Sequence, residues 1–334
     1  MIKTGEIQEI VASGEEIQDI LPAQEALEMN GLQLPVTNTV VQLDTSHAQQ
    51  IERVIRDSLA AFPREGTLVQ DVIGRPTAIA RVDCTIGPDG ILPYECEDRP
   101  AGLGIEHLLH QRHLGSGNIQ VVQDHIGSIF GRELIVVRHP EATPNDDSAA
   151  LEVFDSPSGL NGHVVVVRGE PHMFDSDEQL YRELAERSVS TIRTEGDKSY
   201  ALNVPALGGR LVGDAKELPD AGQSFVLKQL QGSKSRGVKV YLSSTDRKKF
   251  GERGTVTHSK AQKIANELGP LIIEPMKPPI RVAGIGNMAL RIIALVGKDE
   301  VKVTGGVFAI RPEMLVHGAS NTTAGLVLLE GSKT

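Results

Sequence analysis

The chain has 334 residues, of which 40% are apolar and 23% charged, and its formal net charge is −10. That composition belongs to an ordinary soluble globular protein long enough for two or more cores. The excess of acid argues against a general affinity for nucleic acid or for an anionic membrane surface, so neither is expected as a partner.

The first ten residues have no basic start followed by an apolar core. The longest apolar run, 289–297, is too short to span a bilayer and contains Arg291. A cytoplasmic location is therefore expected. The two cysteines, Cys84 and Cys96, match no zinc spacing and are expected to pack as small apolar residues rather than as a disulfide. Nothing in the sequence decides whether the chain forms a homo-oligomer.

Residues 1–45 are polar and weakly patterned until Val40 and Val41, which predicts an extension with one or two strands. Ile51, Val54, Ile55 and Leu59 have helical spacing. They predict a helix over 47–62, with Ser46 or Thr45 as its cap. Strands are expected around 77–84 and 91–97, followed by a short helix over 104–113. Residues 141–161 are rich in turn formers and acids and read as a loop or a domain boundary. The chain is divided there into 1–150 and 151–334. A strand over 163–168 follows, and Asp175 leads into a helix with Leu180, Tyr181, Leu184 and Ala185 on one side.

From 225 onward the pattern is strand, glycine-rich loop, strand, then a helix over 259–268 ended by Gly269. Further strands are expected at 271–274, 288–296 and 301–311. Mixed strands and helices favour α+β or α/β layers.

Two segments carry chemistry. The first is a hairpin turning at Pro88-Asp89-Gly90. Strand alternation puts Arg81 and Asp83 on one face of its first strand, and Glu95 and Glu97 on one face of its second. Three carboxylates that close are costly unless a cation sits among them, and a divalent ion such as Mg²⁺ is the simplest. The second segment is an apolar strand ending in Lys228, then a loop with Gly232, Ser233, Lys234, Ser235, Arg236 and Gly237, then a returning strand over 238–242. Glycines let backbone amides approach a phosphate, and the cations add charge at short range. It is not a Walker loop, since no Gly-Lys-Ser/Thr follows at the required spacing.

Downstream, 271–274 is an apolar strand ending in Glu274. Arg291 and Arg311 lie in otherwise apolar strands, where an unpaired guanidinium is expensive to bury. Gly284-Ile285-Gly286 is read as a loop rather than a dinucleotide fingerprint. His107, His110 and His113 recur at spacing three, but the outer pair drifts around a helix axis, so a solvated face is expected rather than zinc.

The series Lys228-x-x-x-Gly232-Ser233-x-x-x-Gly237-Val238, an acid-ended strand, an Arg-bearing strand, then Gly305-Gly306-x-x-x-x-Arg311 resembles the nucleotide-binding part of an ATP-grasp ligase. The hairpin Arg81-x-Asp83 and Tyr94-Glu95-x-Glu97-x-x-Pro100 precedes the lysine loop. That order is similar to the glutathionylspermidine-synthetase-like branch, whose ATP-grasp fold is circularly permuted. The sequence departs from that branch in three places. Glu97 stands where it usually has Asn, Gln229 replaces a common Pro, and no amidase half with a nucleophilic cysteine is evident. The resemblance covers roughly 75–105 and 195–325.

The resemblance implies an α+β fold of two lobes clasping a nucleotide, plus an N-terminal α/β region. It implies ATP and Mg²⁺, and small-molecule carboxylate and amine substrates joined through an acyl phosphate. Asp83, Glu95 and Glu97 would hold Mg²⁺, and Arg81 would face the reacting carbonyl. Lys198 and Lys228 would touch phosphates, and residues 232–237 would close over them. Glu274 would meet adenine or ribose. Arg291, Arg311 and Asn321 would serve the acyl-phosphate side. A phosphotransferase and a non-catalytic nucleotide-binding regulator are the rival readings.

Overall fold

A computed structural model describes residues 8–11, 17, 20, 23, 25–29, 32–62, 78–98, 102–139, 146–155, 162–168, 184, 187, 198–230, 237–314 and 322–331. The chain begins with β1 (Gln8–Val11), β2 (Glu25–Met29), β3 (Leu32–Leu43) and α1 (Thr45–Ala61). The hairpin β4 (Ile79–Gly87) and β5 (Gly90–Glu97) follows, then α2 (Leu103–Leu114) and α3 (Ile119–Phe130). Next come β6 (Glu133–Arg138), β7 (Val153–Phe154), β8 (His163–Arg168), β9 (Arg210–Val212), β10 (Phe225–Gln229) and β11 (Lys239–Tyr241). Then come α4 (Ser244–Phe250), β12 (Thr255–Val256), α5 (His258–Leu268) and β13 (Leu271–Pro275). Last are β14 (Ile280–Val282), β15 (Gly286–Val296), β16 (Val301–Arg311) and β17 (Thr323–Leu329).

The strands form three sheets, which makes the fold mixed α+β. A nine-stranded sheet runs β1-β3-β17-β16-β15-β4-β5, with β2 on β3 and β14 on β15. Strands from both sides of residue 150 share it. β3 pairs in parallel with β1 and β17, and the other neighbours are antiparallel. A five-stranded sheet runs β12-β11-β10-β13-β9, and a three-stranded parallel sheet runs β7-β6-β8. No described helix is long and apolar enough to cross a membrane.

The pleat of the large sheet sorts its residues. Val82 and Cys84 on β4, with Leu290 and Ile292 on β15, pack with Ile51, Val54 and Ile55 of α1 in one core. The other face packs Ile79, Ile293 and Leu295 against Leu103, Val122, Ile126 and the three-stranded sheet. Arg81 and Asp83 share that second face by alternation from Ile79. In the five-stranded sheet Phe225 and Leu227 pack on Ala261 and Ala265 of α5. Val226 and Lys228 therefore point the other way.

The structure departs from expectation at several places. The first 45 residues hold three described strands, and β3 is 12 residues long with a buried centre. Its apolar positions are interleaved with Thr37, Asn38 and Thr39, also buried, which hid the strand in a polar-looking stretch. Helix α1 is capped by Asp44 rather than by Ser46 or Thr45, since the Asp44 carboxylate accepts the His47 N–H at 2.7 Å. Such a cap contributes about 1 kcal/mol. Helix α3, α4 and strands β6 and β17 were not anticipated. The helix expected after Asp175 lies, at Leu180, Tyr181 and Ala185, outside the described residues. Cys84 and Cys96 are both buried free thiols.

Candidate functional site

The hairpin closes in the register its turn dictates. Arg81 faces Glu97 and Asp83 faces Glu95 across β4 and β5, and Arg291 on β15 is opposite Asp83. Arg81 Nε donates to Asp83 Oδ1 at 2.7 Å, and its Nη2 lies 2.9 Å from Glu97 Oε2. Arg291 Nε is 3.9 Å from Asp83 Oδ2. Gly305 and Gly306 on β16 let that strand sit beside Arg291. A Cβ on Gly306 would fall 2.1 Å from the Arg291 carbonyl oxygen, and Gly305 has φ +135°.

Between the pairs Cys84–Pro93 and Asp83–Glu95 the register slips by one, leaving Tyr94 as an extra residue. Such a bulge frees ladder carbonyls and re-aims them. Both carbonyls at the bulge receive a lysine. Lys228 Nζ donates to Tyr94 O at 2.8 Å, and Lys277 Nζ to Pro93 O at 2.5 Å and to Leu207 O at 2.9 Å. One residue on, Lys198 Nζ donates to Glu95 Oε1 at 2.8 Å. Lys228 also donates to Glu274 Oε1 at 2.8 Å, and both are buried.

Lys198 is fixed at two further points. Its N–H donates to Leu230 O at the end of β10. The neighbouring Tyr200 clamps the open edge of β5, its hydroxyl donating to Cys96 O at 3.1 Å and accepting the Cys96 N–H at 2.9 Å.

Most of these charged groups line one cleft between the large sheet and the five-stranded sheet, while Arg81 and Glu97 pair beside that lining rather than in it. Its polar wall includes Asp83, Glu95, Arg291, Lys198, Lys228, Glu274 and Lys277. Its apolar wall includes Val226, Val238, Val240, Ala289, Met276 and Met314. An apolar slot with a few convergent polar groups is the usual form of a small-molecule site.

The charges shift one another. Burial alone would raise Glu95, but Lys198 and Lys228 outweigh it and bring its carboxyl down to about 2. Burial pushes Glu97 up, and Asp83 and Glu95 add to that against the pull of Arg81. Burial pulls Arg81 down, but Asp83 and Glu97 more than reverse it and the guanidinium stays charged. Burial pushes the Lys277 ammonium down to about 8.

Among the described residues no three acidic or imidazole side chains converge as a metal-binding group. The expected set of Asp83, Glu95 and Glu97 is therefore not gathered as one ligand cluster, because each carboxylate faces a protein cation. Mg²⁺ is commonly held by one or two carboxylates plus substrate phosphates, and the neighbouring Asp83 and Glu95 fit that pattern. Gly232, Ser233, Lys234, Ser235 and Asn321 lie outside the described residues. Gly237 ends that loop with φ +76°, and a Cβ there would strike the Gln229 side chain. Arg311 is buried at the end of β16, donates to the Thr322 hydroxyl and does not line the cleft. Lys277 and Tyr200 were missed by sequence reasoning. A lysine three residues after Glu274 and a tyrosine two after Lys198 were the available signals.

The histidine face is also a correction. α2 packs over β16 and β17. Glu106 is fully buried and His110 nearly so, with the Glu106 Oε1 and His110 Nε2 atoms 4.0 Å apart beside Gly305. Burial raises Glu106 to about 7, with the Asn118 side chain opposing, and lowers His110 to about 4. The Glu106 contribution is thus full below pH 4.5 and is lost as pH rises through 7. Glu106→Gln is expected to gain stability over the parent at pH 8, by up to about 3 kcal/mol, and to lose that advantage near pH 4.5. Denaturant midpoints of both proteins at the two pH values check this.

No family model matches this chain, and no curated protein matches it. Among solved structures, one from Methylobacillus flagellatus KT, named "Putative gamma-glutamylcysteine synthetase", is similar at 10% identity and a TM-score of 0.38. The alignment covers 83% of this chain and 81% of that one.

Proposed function

We propose that this protein is an ATP- and Mg²⁺-dependent ligase that joins a carboxylate to an amine through an acyl phosphate, using a circularly permuted ATP-grasp arrangement. The observation that carries the reading is the meeting of the early acids with the late lysines. Asp83 and Glu95 share one cleft with Lys198 and Lys228, although more than 100 residues separate the two groups in the chain. In this reading the nucleotide lies in the cleft, with its base in the apolar slot and its phosphates toward Asp83. Residues 151–334 supply most of its lobes, and the cytoplasm is its compartment.

Asp83 and Glu95 would hold Mg²⁺, which supplies charge neutralisation at the phosphate oxygens. Lys228 and Lys198 add fixed positive charge where the transferred phosphoryl group develops negative charge. The substrate carboxylate attacks the γ-phosphate and ADP leaves; an amine then adds to the acyl carbon, loses a proton and expels inorganic phosphate. Arg291 beside Asp83 would offer N–H donors to the oxyanion formed in that step, and Arg81, held by Asp83 and Glu97 at the edge of the cleft, would add positive charge there. Removing one such donor typically costs about 2.7–4 kcal/mol of barrier.

The test is incubation of the purified chain with ATP, Mg²⁺ and pooled amino acids and polyamines. ADP, phosphate and a new amide mass are expected, and EDTA should abolish all three. A phosphorylated product that resists hydroxylamine would establish a phosphotransferase instead. Nucleotide binding without ADP release would leave a regulator, and no binding at all would overturn the reading.

A further inference from the structure

We infer that Lys277 is a specificity-determining residue that donates to a ring nitrogen of the nucleotide's base rather than to its phosphates, an inference that rests on the nucleotide reading above. Three lysine amines dock in a row along β5, on Pro93, Tyr94 and Glu95. The row has two distinct ends. Glu95 and Asp83 mark one end with carboxylates, the end suited to metal and phosphate. Lys277 is anchored at the other, on carbonyl oxygens that orient an ammonium without neutralising it.

An ammonium has three N–H donors. Pro93 O and Leu207 O take two, and among the described residues no acceptor takes the third. That third donor belongs to a side chain lining the cleft, close to the apolar wall that suits a flat base.

The backbone at 275 and 276 offers no donor of its own. Pro275 has no N–H. The Met276 N–H already donates to Ser224 O at 3.3 Å. A base entering beside residues 275 and 276 therefore finds no free amide at either position for its ring acceptors. The Lys277 amine supplies a donor where those two positions offer none.

Equilibrium binding separates the possibilities. The probes are ATP, adenosine and the 1-deaza, 3-deaza and 7-deaza adenosines, each lacking one ring nitrogen. On the unaltered protein one deaza analogue is expected to bind about tenfold more weakly than adenosine, the loss of roughly one hydrogen bond to a charged donor. Equal affinity for all three would overturn the inference, and this arm needs no variant to fold. With Lys277→Met, ATP and adenosine should weaken by the same factor and the deaza penalty should vanish. Lys277→Gln, which keeps an amide donor, serves if the Met variant unfolds. If Lys277→Met weakened ATP alone, Lys277 would be a phosphate contact. Failure of the unaltered protein to bind any nucleotide would remove both this inference and the proposed function. Normal ligase turnover with indifferent deaza analogues would remove this one only.

Discussion

Asp83→Asn and Lys228→Ala are each expected to lower turnover by about 10²-fold or more while the protein stays folded. Asp83 is the acid on which the site converges. It accepts from Arg81, faces Glu95 and has Arg291 nearby, so its loss removes the proposed metal ligand and the carboxylate partner of two guanidinium groups at once. The amide keeps the side chain's size but turns one of the two oxygens that accept from Arg81 into a donor, so one of those hydrogen bonds is lost with the charge. Lys228 needs a second control, because its partner Glu274 is buried and would be left alone. Breaking a buried pair from one side costs about 3–5 kcal/mol. The double variant Lys228→Met with Glu274→Gln removes both charges. It should recover stability without recovering turnover. Steady-state ADP release and denaturant midpoints for the set check both halves, and wild-type rates in the single variants would take these residues out of the mechanism.

Arg81→Ala is expected to destabilise the protein by about 3–5 kcal/mol at neutral pH, measured as a fall in the denaturant midpoint. Arg81 is buried and bridges Asp83 and Glu97. Without it Asp83, Glu95 and Glu97 face one another with only Lys198, Lys228 and Arg291 to offset them. Glu97 is already pushed upward by burial, so it would be first to take a proton. The loss should therefore shrink as pH falls and the acids neutralise, and it should be larger at pH 7 than at pH 4. A loss independent of pH would show that packing, not charge, explains Arg81.

The hairpin was legible because its information is local. A Pro-Asp-Gly turn and a period of two suffice to place four charged residues on one face. Lys228 and Glu274 were legible for the same reason, each ending an apolar run. The pairing of β3 with β17 was not, since nearly 300 residues separate partners such as Val41 and Val327, and a parallel contact leaves no local signature. The Tyr94 bulge was equally hidden, although it decides which carbonyls meet lysines. Without the bulge, Lys277 and Lys228 would not find adjacent carbonyl acceptors. His110 was misread because the pattern of α2 is polar there, and the close fit of that helix beside Gly305 buries it together with Glu106.

The position of β17 has a consequence for how the molecule comes into being. It lies between β3 and β16, joining the amino-terminal strands to the hairpin side of the sheet. During synthesis the seam between those two parts stays unzipped until residues 323–329 leave the ribosome, long after β3 has done so. The hairpin can form early, but the platform beneath Arg291 is finished only then. Long-range closure of this kind is slow. Nascent chains would expose the open edges of β3 and β16 in the meantime, which makes this a protein whose maturation depends on β17 arriving before a neighbouring chain does.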